Sequence, residues 1–498
     1  MKKKQLLFVL LLSALLLGGC TSNKKPTSSS TDSSTTETSS SSGEDETSKL
    51  EGTIEERLNQ LKCVSSVKSI FVESKKFAKV FKISFKQYID HNHKELGTFN
   101  QKVELGFNNL SKPTVYVTSG YMTNDTNYQY QDNENEIAFL LKCNYLFVEH
   151  RYFGKSTPVD IDYDNNQTWD YLNTEQAAAD AHYIVSQFKR VLDGKWVSTG
   201  ISKGGMTTEL FAYYHPGDMD LYVPYVAPFC NSFADQRFFK FIYEEAGDEQ
   251  YGKTKAAEMR QNILSFQIKM LEYRSYLAPR FYEEATSSGE VFSDLMTQDN
   301  LYDASVLEFG VGFWQYYQTY SPITSCLNMS EITLQQKQEK REAFYDTFTN
   351  VISPSDVSIN NPFTPYYIQA YQELGNYGYD FSYIRNALPN GVTLTVQPSE
   401  DTSVMWNLVL NEAQRALPRK ELMGPKIEHM LETTEDQFII LYGSSDPWYS
   451  VRPQDVEGRD NISIYVNTSH PHTTNIANFD TVTKNEILNK IKTILEVQ

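Results

Sequence analysis

Between Pro113 and Tyr214 the chain alternates short apolar runs with amphipathic stretches, and this alternation restricts the possible folds more than any other feature. "PTVYVTSG", "NYLFVEHR" and "KWVSTG" each read as a short strand bounded by turn chemistry. "NENEIAFLLKC" separates the first from the second, and "NTEQAAADAHYIVSQFKRVL" the second from the third. In the latter, Thr174 and Gln176 precede an apolar stripe at Ala177, Ala178, Ala181, Ile184, Val185 and Phe188, which is helical spacing. Strand, helix, strand, helix, strand predicts an α/β fold, a mostly parallel sheet with helices on both faces. "LYVPYVAPF", "QFIILYGSSDPW" and "NISIYVNTSHPH" extend the sheet, and "DTVTKNEILNKIKTILEVQ" closes the chain as a helix. Ahead of these, "KVFKISFKQYID" and "FNQKVELGFNN" read as an antiparallel pair.

The pattern is interrupted once. From 231 to 430 it turns helical and irregular, with aromatic clusters such as "FGVGFWQYYQTYSP". That segment is predicted to be a helical cap inserted into a core made of 51–230 and 431–498. At the other end, "MKKKQLLFVLLLSALLLGGC" has three lysines, an apolar run too short to span a bilayer, and small residues before Cys20. Residues 1–19 are therefore expected to be a lipoprotein signal peptide, with Cys20 as the lipidation site. Ser/Thr-rich 20–50 lacks apolar residues to bury and is expected to be a disordered tether. The implied location is extracytoplasmic, lipid-anchored to a bacterial membrane.

A net charge of −18 argues against nucleic-acid binding, which needs basic stripes. Cys63, Cys143, Cys230 and Cys326 fit no zinc spacing. Export makes disulfides possible and leaves their pairing open, although Cys143 lies in an apolar run and reads as core.

Gly200-Ile201-Ser202-Lys203-Gly204 follows the strand "GKWVST" and precedes the helical "GGMTTELFAYYH". G-x-S-x-G in a strand–turn–helix context is a nucleophile elbow, with Ser202 exposed at the carboxyl end of the strand. A serine needs a base, and in this arrangement the acid and then the histidine follow it in the chain. Asp446 in "YGSSDPW" is the candidate acid; His470 and His472 in "NTSHPHTTNI" are the candidate bases. The oxyanion donors are expected to be the N–H of Lys203 and an N–H near Gly120, assigned to Tyr121. His91-Asn92-His93 reads as a solvated loop, and His470-x-His472 lacks a third metal ligand. No P-loop and no dinucleotide fingerprint appears, so neither metal nor cofactor is expected.

"FVEHRYFGKSTP", "LNTEQAAADAHYIV", "GISKGGMT" and "YGSSDPW" together resemble the secreted bacterial proline-preferring tripeptidyl aminopeptidases, with prolyl carboxypeptidase and dipeptidyl peptidase II as more distant relatives. The resemblance spans about residues 80 to 495. It implies an α/β-hydrolase core, a cap that narrows the cleft, and release of short peptides, tripeptides with proline before the cleaved bond, from free N-termini. Ser202 and Asp446 match the nucleophile and acid motifs. Relatives place the base before a pattern that His472-Thr473-Thr474-Asn475-Ile476 fits, which favours His472 over His470. Glu149 and Arg151 read as a buried ion pair supporting the loops. Two other readings stay open: a surface-anchored esterase or lipase with the same triad, and a non-catalytic binding lipoprotein. Oligomeric state is not readable from the chain.

Overall fold

The computed structural model describes residues 48–71, 77–123, 136–293, 295–354, 358–359, 361–396, 404–454, 456 and 458–497. Cys20, the signal peptide and all but the last residues of the expected tether lie outside them. The folded unit begins at Lys49, so Lys49 and Leu50 of the expected tether belong to it: the Leu50 N–H donates to the Arg190 carbonyl at 2.9 Å.

The sheet has nine strands: β1 (Val64–Ile70), β2 (Lys79–Tyr88), β3 (Thr98–Phe107), β4 (Thr114–Thr118), β5 (Asn144–Val148), β6 (Trp196–Ile201), β7 (Leu221–Tyr225), β8 (Phe438–Gly443) and β9 (Ile462–Asn467). Their order is β1-β2-β3-β5-β4-β6-β7-β8-β9. β1, β2, β3 and β5 pair antiparallel, and β5 through β9 run parallel. With β1 as an added edge strand, this is the topology of the α/β-hydrolase fold. Nothing in the sequence reading anticipated β1, whose side chains are exposed or half-buried and give no apolar alternation.

β4, β7 and β8 are buried along their whole length, which is why they read as continuous apolar runs. Before and between the strands run α1 (Ile54–Gln60), α2 (Glu136–Leu141), α3 (Thr174–Lys189) and α4 (Lys203–Tyr214). On one face α2 and the C-terminal helix Thr481–Leu495 cover Val115, Val117, Val197, Val223 and Leu441. On the other, α3 and α4 pack over Tyr116, Leu146, Tyr222 and Ile440. The stripe from Ala177 to Phe188 is buried throughout. The N-cap of α3 is Asn173, whose side chain accepts the Gln176 N–H.

Between β7 and β8 the chain is helical, with its longest helices at Lys253–Glu272, Leu334–Thr349 and Gln298–Gly312. Cys63, Cys143, Cys230 and Cys326 are all free and buried. Among the described residues, no helix is long and apolar enough to cross a membrane.

Parallel register puts the carboxyl ends of β4, β5, β6, β7, β8 and β9 on one edge, through pairs such as Thr118↔Val148, Ile201↔Tyr225 and Gly443↔Asn467. The chain leaving that edge carries Tyr121, Ser202, Lys203, Asp446, His470 and His472, as expected for open parallel sheets.

Candidate active site

Ser202 stands at the junction of β6 and α4, partly exposed, with φ 58° and ψ −120°. A positive φ on a non-glycine residue is strained and is held only by a surrounding that leaves no alternative. The flanking contacts supply that surrounding. A Cβ on Gly200 would lie 2.4 Å from the Gly204 carbonyl, and one on Gly204 would lie 2.4 Å from the Thr118 carbonyl oxygen. Both positions therefore need glycine. Thr118 Oγ1 donates to the Gly204 carbonyl at 2.6 Å, tying the end of β4 to the elbow.

Lys203, the first residue of α4, has a first-turn N–H with no intrahelical acceptor, beside the serine. The Tyr121 N–H donates to Ser119 Oγ at 3.2 Å, so its use by an oxyanion requires sharing or exchange of that bond.

Asp446 begins the turn after β8 and is fully buried. Its Oδ1 accepts the Trp448 N–H at 3.1 Å, and its Oδ2 lies 2.6 Å from His472 Nδ1. His472 is 4% exposed. Its Nε2 is buried and makes no hydrogen bond among the described residues, Ser202 included. His470, two residues earlier, makes no bond to Asp446: its Nδ1 is likewise buried without a partner, and burial lowers its pKa. A histidine oriented by a carboxylate through Nδ1–H presents the Nε2 lone pair, the form that removes a proton from a hydroxyl. Bonds between nucleophile and base are commonly long before substrate is present.

Three features of the site were not foreseen. The insertion touches the histidine directly: the Gln315 carbonyl accepts the His472 N–H at 3.3 Å, and the Tyr316 ring meets the imidazole edge-on at 5.3 Å. Gln318 Nε2 donates to Ser445 Oγ at 2.8 Å, beside Asp446. Phe363 and Tyr366 pack edge-on against Tyr121 at 5.2 and 5.9 Å. The aromatic runs of the insertion were visible in the sequence, but nothing there marked which rings reach the cleft.

Two expectations are corrected. Glu149 and Arg151 do not pair with each other. Glu149 accepts from Thr123 N and Oγ1, Lys155 N and Ser156 Oγ at 2.8–3.0 Å, an all-neutral donor set that shapes the loop after β5. Arg151 instead forks onto Asp180 of α3, with Nε–Oδ2 at 2.7 Å and Nη2–Oδ1 at 2.6 Å. Nor is His91 solvated. Its Nε2 lies 2.8 Å from the same Asp180, whereas His93 is exposed.

The Lys203 side chain is 2% exposed, with its Nζ above the Tyr121 and Phe153 rings at 5.7 and 5.6 Å. Burial pulls its pKa down to about 7, against the opposing field of Glu373.

The chain is similar to several known proteins. It is 27% identical over 387 residues to the prolyl tri/tetrapeptidyl aminopeptidase of Streptomyces mobaraensis, covering 76% of this chain and 72% of that one. It is 27% identical over 146 residues to the lysosomal Pro-X carboxypeptidase of Homo sapiens, covering 26% of this chain and 28% of that one. Among solved structures, an acetyl xylan esterase from Paenibacillus sp. R4 aligns with a TM-score of 0.36 at 10% identity, covering 88% of this chain and 92% of that one. Residues 52–495 match the family described as PS-10 peptidase S37, and the chain belongs to that family of serine peptidases.

Proposed function

We propose that the protein is an exopeptidase that releases short peptides, tripeptides foremost, from free N-termini by cleaving after proline. Ser202 attacks the scissile carbonyl while His472, oriented by Asp446, takes its proton. An acyl-enzyme forms, the amine leaves with the proton from His472, and water then resolves the ester by the same route. The Lys203 and Tyr121 N–H groups receive the oxyanion. The observation that carries this reading is the buried His472–Asp446 contact at 2.6 Å, with Nε2 left unbonded and Ser202 presented on a strained turn.

The specificity rests on the name of the Streptomyces relative and on the aromatic lining that the insertion brings over Tyr121. A proline ring, with fixed φ and no N–H, suits a rigid apolar pocket. The test is a panel of short peptides, each with a free and an acetylated N-terminus, run beside acyl esters. Release of tripeptides after proline from free N-termini only is the expected outcome. Equal rates on blocked peptides would refute the aminopeptidase reading, and a preference for acyl esters would favour an esterase.

The location belongs to the same proposal: Cys20 carries lipid and holds the enzyme on the outer face of the cell membrane. Cys20→Ser should move the protein from the membrane fraction to the medium; a wild type already free in the medium would refute the anchor.

A further inference from the structure

Away from the catalytic edge, three side chains with metal-binding chemistry meet where α3 passes the end of α4. His182 is an exposed residue of α3, His215 caps the C-terminus of α4, and Asp218 sits in the turn that follows. One ligand atom from each lies within 4.8 Å of the others. His182 Nδ1 is 2.6 Å from Asp218 Oδ2, and the two imidazoles stack at 4.3 Å with planes 10° apart. We propose that His182, His215 and Asp218 form a binding site for a divalent transition-metal ion of the zinc type.

The donor set selects the ion. Two imidazoles and one carboxylate suit zinc, copper or nickel, whereas magnesium and calcium prefer oxygen ligands throughout. Three protein ligands leave one position of a tetrahedral zinc for water. Binding would replace the His182 Nδ1–Asp218 Oδ2 hydrogen bond with bonds to the ion, which requires the His182 ring to turn out of its stack on His215. That ring has room to turn, with 47% of its side chain exposed.

The turn carrying Asp218 is held from several sides, which is the support that ligand positions need. Lys189 Nζ donates to the Asp218 carbonyl at 2.5 Å, and the Gly217 N–H donates to Asp436 at 3.1 Å. The Asp218 N–H returns to the His215 carbonyl at 3.4 Å. None of these bonds uses the Asp218 carboxylate. The site lies about 20 Å along α4 from Ser202, given the rise of an α-helix. It therefore does not depend on the triad. An ion there would cross-link α3 to the far end of the helix that begins at the nucleophile.

Zinc(II) alone, titrated calorimetrically into the purified chain freed of any affinity tag, tests the site. One equivalent should bind, and His182→Ala and His215→Ala should each weaken binding at least about tenfold, as loss of a metal ligand or its support does. Zinc at about a hundred times its Kd should raise Tm by roughly 3 °C in the wild type and not in His182→Ala. His182 is exposed, so its variant is expected to keep the fold, which circular dichroism checks. No binding at about 0.1 mM zinc overturns the proposal. So does binding that survives both histidine variants, which would put the ion elsewhere, or equal affinity for magnesium.

Discussion

Glu136 holds the loop that carries His472. From the first turn of α2, its Oε2 accepts the Ile476 N–H at 2.8 Å and the Tyr225 hydroxyl at 3.2 Å, while Oε1 accepts the Ala477 N–H at 2.5 Å. A carboxylate that precedes the serine by more than sixty residues thus fixes the chain a few residues beyond the histidine.

Burial raises the Glu136 pKa to about 7 from an ordinary 4.5, against the lowering effect of its donors. The folded chain then holds a proton that the unfolded chain has released. The stability this contributes is complete below about pH 4.5 and is lost as pH rises through about 7. Glu136→Gln should remove that slope. Thermal midpoints of wild type and variant at pH 4.5, 6 and 8 measure it, and an unchanged difference across that range would contradict the assignment. Glu136→Ala, which leaves the buried Ile476 N–H without its acceptor, should cost about 1–3 kcal/mol and depress turnover by loosening the histidine.

The two histidines separate by mutation. Ser202→Ala should lower kcat roughly 10⁶-fold, and His472→Ala should fall in the same range. His470→Ala should stay within about tenfold of wild type, since its ring does not meet Asp446. Near-normal turnover in His472→Ala would transfer the role to His470.

Lys203 divides its backbone from its side chain. Its depressed pKa means that the stability it contributes is present above about pH 10.5 and is lost as pH falls through about 7. Lys203→Met removes the buried amine and should raise Tm at pH 6 more than at pH 9. The main-chain N–H remains, so turnover should fall by far less than the roughly 10²–10³-fold that loss of an oxyanion donor costs. A loss of that size would show that the ammonium itself acts in the reaction.

Asp180 is the anchor of a buried charge. Arg151 is fully enclosed, and Asp180 meets it through two bonds while also accepting from His91. Asp180→Ala strands the guanidinium and should cost about 3–5 kcal/mol in denaturant unfolding. A loss below about 1 kcal/mol, the range of exposed pairs, would mean that water reaches Arg151.

Much of the architecture was readable from local pattern. β4, β7 and β8 were visible because burial on both faces demands unbroken apolar runs, and α3 because one buried face demands a 3.6-residue period. Once the strands are known to be parallel, Ser202, Asp446 and the His470–His472 loop must emerge on one edge. The partners chosen across elements were not readable. Arg151 has Glu149 two residues away and pairs instead with Asp180, 29 residues on, because β5 and α3 bring those side chains together while Glu149 turns toward Thr123. His470 and His472 lie in one loop; the family pattern favoured His472, but the residues alone left both open, and the loop's path between β9 and Glu136 sets which ring meets Asp446. Gln315 and Tyr316 reach the site from an insertion whose aromatic runs have the same character wherever they pack. Periodicity records how much of each residue is buried, a property of its own element. Which atoms meet depends on how separate elements are placed, and packing of the whole chain decides that.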